Sequence, residues 1–171
     1  MAGKKYGKYF IKYDQKKHWP NKPAEVPFRV ISRLDNNIIE GCNFYFVHWM
    51  LPDLTVPDSL DQGHPPHIHK DAELLFHIGT NPDSPMDLGA EVVLYMGPEL
   101  ERHVITESTV VYIPPNFIHC PWLPTKTDRP WIFIEVNQGP SHTEKLYLQT
   151  LPKEVRDKMD PERLKLFGEG Y

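Results

Sequence analysis

Histidine and acidic residues at alternating positions are the feature of this chain that most constrains its fold. His67, His69 and Glu73 occupy odd positions in one predicted extended segment. Side chains alternate across a β-sheet, so residues of the same parity point to the same face. His119 follows the turn signal Pro114-Pro115 and can approach from a neighbouring strand. Three neutral imidazoles and one carboxylate suit a divalent first-row metal ion, so we predict that these four residues bind one.

Size and composition exclude several classes of protein. The 171 residues suit one domain with a proper core, and the net charge of -4 provides no basic surface for nucleic acid. We find no window near the roughly 18 apolar residues of a membrane helix and no apolar segment after Met1 typical of a secretory signal. The two cysteines, Cys42 and Cys120, do not form a dense disulfide framework. We therefore expect a cytoplasmic protein with reduced thiols that binds neither nucleic acid nor membranes.

The prolines indicate an all-β chain. Eighteen of them fall between apolar runs rather than in one tract, which is typical of short strands joined by tight turns. We predict strands at 28–32, 42–50, 67–78, 90–96, 102–106, 109–113, 119–123 and 131–136. From Lys153 onward the pattern favours a short amphipathic helix, which Pro161 interrupts. Strands at this spacing are typical of a β-sandwich or barrel.

Two short motifs resemble those of the cupin superfamily, whose members are small jelly-roll β-barrels. The residues of the first motif are Gly63, His67, His69, Glu73 and Gly79. The second is Pro114-Pro115-Asn116-Phe117-Ile118-His119, in which Asn116 replaces a glycine of the family pattern. Asparagine also enters the left-handed turn region, so the turn is expected to persist. The second half is also similar to an uncharacterised bacterial group of cupins.

The resemblance implies a fold and a division of the chain. We expect an all-β, double-stranded β-helix or jelly-roll barrel with a short C-terminal helical tail. Residues 1–27 would form an N-terminal arm, residues 28–150 the cupin barrel and residues 151–171 the tail.

The same resemblance favours an enzyme without choosing its reaction. We expect a metal-dependent cupin that acts on a small polar organic substrate, as a dioxygenase or as a non-redox lyase, isomerase or decarboxylase. The alternative is a cupin that binds a small molecule without turnover, or that is structural. We expect one divalent ion per chain, and the ligand types alone do not distinguish Fe, Mn, Zn and Ni.

Five further residues are candidates for a role near the metal. Glu135 lies in an otherwise apolar strand and is a candidate general base if it faces inward. His77 shares the parity of Glu73, so it either serves proton transfer or substrate contact or closes the end of the barrel. His64 is an extra ligand, an acid or base, or, as we favour, a loop residue. Cys120 is expected to face away from His119 as a small buried residue, and His48 is the weakest candidate.

The N-terminal arm suggests an interface. Cupins often dimerise by exchanging edge strands, which protects those edges from aggregation. The aromatic residues Tyr6, Tyr9, Phe10 and Tyr13 suit such an exchanged segment, and we predict a homodimer.

Overall fold

Two sheets form the body of the protein. The structure is a computed structural model that describes residues 5–22, 29–168 and 170–171. Within these residues, ten strands form two five-stranded antiparallel sheets. The first sheet contains, in spatial order, β1 (Arg29–Leu34), β2 (Phe44–Met50), β9 (Trp131–Asn137), β4 (Glu73–Ile78) and β7 (Thr109–Ile113).

The second sheet completes the barrel. It contains, in spatial order, β10 (Lys145–Leu146), β3 (His67–Ile68), β8 (His119–Thr127), β5 (Asp87–Met96) and β6 (Glu101–Glu107). From β3 onward the chain passes repeatedly from one sheet to the other, which is the double-stranded β-helix arrangement. The predicted all-β class is therefore confirmed.

The core lies between the inner faces of the two sheets. In β2 the residues Phe44, Phe46, His48 and Met50 are buried, whereas the intervening Tyr45 is exposed. This alternation follows from the period of two in a strand, with one face packed and one face in water. Burying each large apolar side chain stabilises the folded state by about 1.5–3 kcal/mol.

The segment predicted as one strand over 67–78 is two strands, and this prediction was wrong. β3 belongs to the second sheet and β4 to the first, with residues 69–72 crossing between them. Backbone groups of the crossing find separate partners. Asn116 donates its N–H to the His69 carbonyl, and Gln138 donates to the Ala72 carbonyl, each at 2.8 Å. The crossing places the donors at the junction of the two sheets.

Short helices flank the barrel. They are α1 (Gln15–His18), α2 (Lys153–Arg156) and α3 (Pro161–Leu164). The Asp160 side chain caps α3 by accepting the Glu162 N–H at 2.9 Å, and proline suits a first helical position because no partner is needed for its nitrogen. The short C-terminal helical tail is confirmed, with Pro161 beginning its second helix.

Parts of two predictions concern residues that the structure does not describe. Phe28, where we placed the start of the first strand, lies outside the described residues, as do residues 1–4 and 23–27 of the predicted arm. None of the described helices has the length and apolar character needed to cross a membrane.

Candidate metal centre

Four side chains predicted as ligands converge inside the barrel. His67 Nε2 lies 3.1 Å from His69 Nε2, and His69 Nε2 lies 3.3 Å from Glu73 Oε1. His119 Nε2 lies 3.1 Å from Glu73 Oε2. All four residues are at most 2% exposed. The two motifs, about fifty residues apart in the chain, therefore bring three imidazoles and a carboxylate to one point.

The strand register explains this convergence. His67 is the direct partner of His119 across β3 and β8 in the second sheet. Glu73 stands at the start of β4 in the first sheet, opposite Asn137 of β9. The crossing that follows β3 carries His69 between them. Each sheet thus contributes part of the cluster.

All three imidazoles have the same orientation. Each Nδ1 lies against a backbone carbonyl, which can only accept a hydrogen bond, so Nδ1 carries the proton and donates it. The carbonyl partners are Pro65 for His67 at 2.7 Å, Phe117 for His119 at 3.1 Å, and Thr143 for His69. This leaves each Nε2 facing the centre of the cluster as a potential metal ligand.

The Glu73 carboxylate is held in place by neutral and ionisable partners. The Asn137 side-chain amide donates to Glu73 Oε1 at 3.0 Å. Burial by itself raises the pKa of Glu73, but hydrogen bonds from His119 and His69 outweigh burial and hold this pKa well below its ordinary value. Burial lowers the pKa of His69, but Glu73 outweighs that effect and raises it to about 9. The carboxylate is therefore available as an anionic oxygen donor.

The donor spacing fits a small divalent ion. Adjacent ligands at about 2.1 Å from such an ion lie about 3 Å apart when they occupy neighbouring positions of an octahedron. The donor separations of 3.1 to 3.3 Å match this distance. The ligand atoms of His69, Glu73 and His119 all lie within 4.8 Å of one another. The residues present therefore suit a metal ion.

Further ionisable side chains lie beside the cluster. Glu135 Oε1 lies 3.4 Å from His142 Nε2, and the His142 ring centroid lies 4.9 Å from that of His69. On another side, His64 Nε2 lies 2.8 Å from Glu144 Oε2. Sequence reasoning singled out Glu135 and considered His64, for which it favoured the role of a loop residue, but missed His142 and Glu144. Their alternation in Ser141-His142-Thr143-Glu144, just beyond β9, is the signal that points to them.

The environment keeps the Glu135–His142 pair uncharged near neutral pH. Burial, reinforced by the charge of Glu73, raises the pKa of Glu135 to about 8. Burial, reinforced by the charge of His69, lowers the pKa of His142 to about 4. A protonated carboxyl group therefore faces a neutral imidazole, which is an arrangement that can donate and accept a proton.

A cavity of about 70 Å³ adjoins the cluster. Its apolar walls are Leu75, Trp122 and Phe133, and its polar wall beyond the four predicted ligands consists of His64, Cys120, Glu135 and His142. The cavity therefore has room for a small molecule beside the cluster.

His77 does not line this cavity. It is fully buried, and the Trp122 indole N–H donates to its Nε2 at 2.9 Å. Its ring also lies 5.4 Å from Phe133, centroid to centroid. Trp122 and Phe133 thus separate His77 from the predicted ligands. Both predicted roles of His77, one in proton transfer or substrate contact and the other in closing the end of the barrel, stay predictions.

Cys120 lines the cavity, so the expectation that it faces away from His119 was wrong. The pairing of β5 with β8 shifts between Leu94 and Met96, opposite the segment from His119 to Trp122. Cys120 itself has a φ of 74°. A bulge interrupts the alternation of side chains and turns this thiol inward. Burial raises the pKa of Cys120 well above its ordinary value.

The turn of the second motif behaves as predicted. Asn116 has a φ of 60°, in the left-handed region that the family pattern fills with glycine. Its side-chain oxygen accepts a hydrogen bond from Tyr171, and its N–H binds the His69 carbonyl at 2.8 Å. The substitution of asparagine therefore preserves the turn.

Comparisons with known proteins find matches among solved structures. No protein-family model matches the chain, and no curated protein matches it. A cupin-superfamily sugar phosphate isomerase from Silicibacter pomeroyi is 15% identical with a TM-score of 0.40, covering 69% of this chain and 64% of its own. A mutant of oxalate decarboxylase from Bacillus subtilis is 12% identical with a TM-score of 0.46, covering 84% of this chain and 36% of its own.

A third solved structure matches most of its own length. It is a conserved protein with a double-stranded beta-helix domain from Klebsiella pneumoniae, 10% identical with a TM-score of 0.40, covering 79% of this chain and 96% of its own. This chain spans less than two thirds of the length of the isomerase and of the decarboxylase.

The fold and the two motifs of this chain occur together. Two facing antiparallel sheets form a double-stranded β-helix. The three histidines and the glutamate of the two motifs lie close together at a buried site within it. The chain therefore has the double-stranded β-helix fold, and this convergence agrees with the resemblance of its two motifs to those of the cupin superfamily.

Proposed function

We propose that this protein binds one divalent metal ion per chain through His67, His69, Glu73 and His119, and that it acts on a small polar organic substrate. The observation that carries the proposal is the common orientation of the three imidazoles. Their Nδ1 atoms are engaged with backbone carbonyls, so three Nε2 atoms and one carboxylate face one another. Fe, Mn, Zn and Ni all suit this ligand set.

The residues beside the cluster support catalysis. When bound, a divalent ion would polarise an oxygen of the substrate as a Lewis acid. Near neutral pH the Glu135 carboxyl group is protonated and the His142 imidazole is neutral. Glu135 can therefore donate a proton and His142 can accept one at the cavity wall. Trp122 and Phe133 contribute apolar surface to the cavity. A dioxygenase and a non-redox lyase, isomerase or decarboxylase are all compatible with this arrangement.

Elemental analysis of the purified protein tests the metal assignment. We expect about one ion per chain in the starting protein and a sharp loss in His69→Ala and Glu73→Ala. His103→Ala is a matched control because His103 is half exposed on β6 and lies outside the cluster. Unchanged metal content in both cluster variants would contradict the assignment.

The alternative is a cupin that binds a small molecule without turnover. Stoichiometric metal with ligand binding, but without turnover in oxygen-uptake, lyase and isomerase assays, would favour it. A complete ligand set next to the Glu135–His142 pair favours the enzyme.

We propose two further properties of the protein. It forms a homodimer through the aromatic arm, in which Tyr6, Tyr9 and Phe10 are 59%, 68% and 79% exposed. Exposed aromatic side chains in a cluster are typical of an interaction surface. It also resides in the cytoplasm, since Cys42 and Cys120 are both free thiols.

A further inference from the structure

His64 stands between the predicted metal cluster and solvent. It lines the cavity, yet its side chain is 32% exposed. Its ring contacts two others at tilted angles, that of His67 at 4.3 Å and that of Phe167 at 4.4 Å, centroid to centroid. Phe167 follows α3 in the chain. A residue from the C-terminal helical tail thus supports a wall of the cavity from outside.

One buried carboxylate joins His64 to the same part of the tail. Glu144 is 2% exposed, and its two oxygens have different partners. Oε2 lies 2.8 Å from His64 Nε2, and Oε1 accepts the Gly168 N–H at 3.0 Å. The position of His64 therefore depends on Phe167 through its ring face and on Gly168 through Glu144.

Arg163 attaches the tail to the loop that precedes His64. Its guanidinium donates to the carbonyl of Asp61 at 2.8 Å and also to the carbonyl of Gly63. Gly63 has a φ of 61°, and a Cβ built there would lie 2.5 Å from the Trp122 carbonyl oxygen. The loop is therefore confined on one side by β8 and on the other by Arg163.

The last described residues reach the second motif. Tyr171 donates its hydroxyl to the side-chain oxygen of Asn116, in the turn before His119. Lys70 Nζ donates to the Gly170 carbonyl at 3.2 Å and lies 5.3 Å from the Tyr171 ring centroid. The tail is thus bound to both motifs that carry the predicted ligands.

We propose that residues 161–168 and 170–171 form a strap that holds His64 in place as a wall of the cavity, and that the strap limits the size of the molecules that enter. The part that concerns substrate rests on the proposed function. While the strap is docked, His64 stays in the lining of the cavity of about 70 Å³ beside the cluster. When it is displaced, His64 loses its ring contact with Phe167, and Glu144 loses its contact with Gly168.

The strap is attached in a way that permits displacement. α3 has no buried side chain, and Leu166 is 48% exposed. Polar contacts and the ring contacts of Phe167 and Tyr171 hold the segment. Segments with few buried apolar contacts open at a lower free energy than the strands of a core. The strap is therefore expected to open while the barrel stays folded.

The reactivity of Cys120 tests the strap without any assumption about metal. This thiol lines the cavity and is buried, and Cys42→Ser leaves it as the single cysteine of the chain. The full-length protein, as purified, is treated with a small methanethiosulfonate reagent, and modification is followed by mass spectrometry. We expect Phe167→Ala to react about tenfold faster than the parent, because local opening controls access to a buried group.

Matched variants make this result specific to the strap. Leu166→Ala removes an exposed neighbour of Phe167 and should react at the parent rate. Phe167→Tyr keeps the ring and should also react at the parent rate. Arg163→Met removes both contacts with the 61–63 loop and should accelerate the reaction even if Phe167→Ala does not fold. Circular dichroism identifies any variant that is unfolded.

The outcomes separate this inference from the proposed function. Parent-like rates in folded Phe167→Ala and Arg163→Met would overturn the strap, whatever the metal content. Acceleration in these two variants, with Leu166→Ala unchanged, would support it. Metal content measured on the same samples then reports on the proposed function independently.

Discussion

His67 and His119 face each other on adjacent antiparallel strands, and their ring centroids lie 4.2 Å apart. Their side chains meet because direct partners in an antiparallel pair project to the same face of the sheet. Strand pairing thus brings together two donors from motifs about fifty residues apart. The geometry of the cluster is therefore a consequence of sheet register, and groups that hold its members in place should influence metal affinity.

Asn137→Ala should weaken metal binding without removing a ligand. Asn137 donates to Glu73 Oε1 at 3.0 Å and so orients the carboxylate. Loss of a partner of this kind typically lowers metal affinity by about 10–100-fold. Competition with a chelator of known affinity measures the change. His103→Ala serves as control, and an affinity equal to that of the parent would show that Asn137 does not orient the carboxylate.

Removing the metal should lower the free energy of unfolding. A ligand that binds only the folded state adds about 2.7 kcal/mol when its free concentration is 100 times its dissociation constant. Denaturant titrations of the protein with and without a chelator measure this difference. Glu73→Ala should be insensitive to the chelator. A parent protein that is equally insensitive would argue against a metal ion that binds the folded state.

His77→Gln should reduce the sensitivity of the fold to acid. Burial lowers the pKa of His77 to about 4, below the ordinary 6.5. Because the unfolded chain binds this proton first, stability is complete above pH 6.5 and decreases as the pH falls towards 4. The loss at pH 4 is about 3 kcal/mol for this one group.

The comparison requires urea titrations from pH 7.5 to 4. Glutamine does not titrate but still offers an acceptor to the Trp122 indole. The variant should therefore lose less stability over this range than the parent, whereas His103→Gln on exposed β6 should behave like the parent. Equal losses in parent and His77→Gln would contradict the assignment of this acid sensitivity to His77.

Glu135→Gln should retain the metal and lose proton-transfer activity. Its carboxyl group lies 3.4 Å from His142 Nε2 at the cavity wall. Among the described residues, no hydrogen bond joins Glu135 to a predicted ligand. Elemental analysis should give the metal content of the parent. Turnover, once a substrate is identified, should fall by about 10²–10⁴-fold. Full turnover in this variant would exclude Glu135 as the proton carrier.

The homodimer is tested by mass in solution. We expect light scattering at micromolar concentration to give twice the chain mass. Tyr9→Ser combined with Phe10→Ser should shift the protein towards the monomer, because both side chains are largely exposed in the isolated chain. Val104→Ser on β6 is an exposed apolar control outside the arm. A monomeric parent would exclude the proposed interface.

That the four predicted ligands lie close together could be predicted from the sequence because their spacing is local. His67 and His69 are two residues apart, and His119 follows a proline turn. The donors converge as expected even though the predicted single strand is two strands. The four side chains still meet because the chain crosses between β3 and β4 at the junction of the two sheets, where His69 faces the cluster.

Parity failed where the chain departs from regular pairing. The register shift opposite β8 turned Cys120 into the cavity, against its expected direction. His77 kept the parity of Glu73 but lies behind Trp122, since parity gives the face of a sheet and not the depth within a barrel.

The all-β class and the meeting of the four predicted donors could be read from the sequence, because strand alternation and turn chemistry act over a few residues. The surroundings of the cluster follow from the tertiary structure. It paired His64 with Glu144, eighty residues away, and set Phe167 against His64. Such contacts depend on the packing of distant segments, and local spacing carries no information about them.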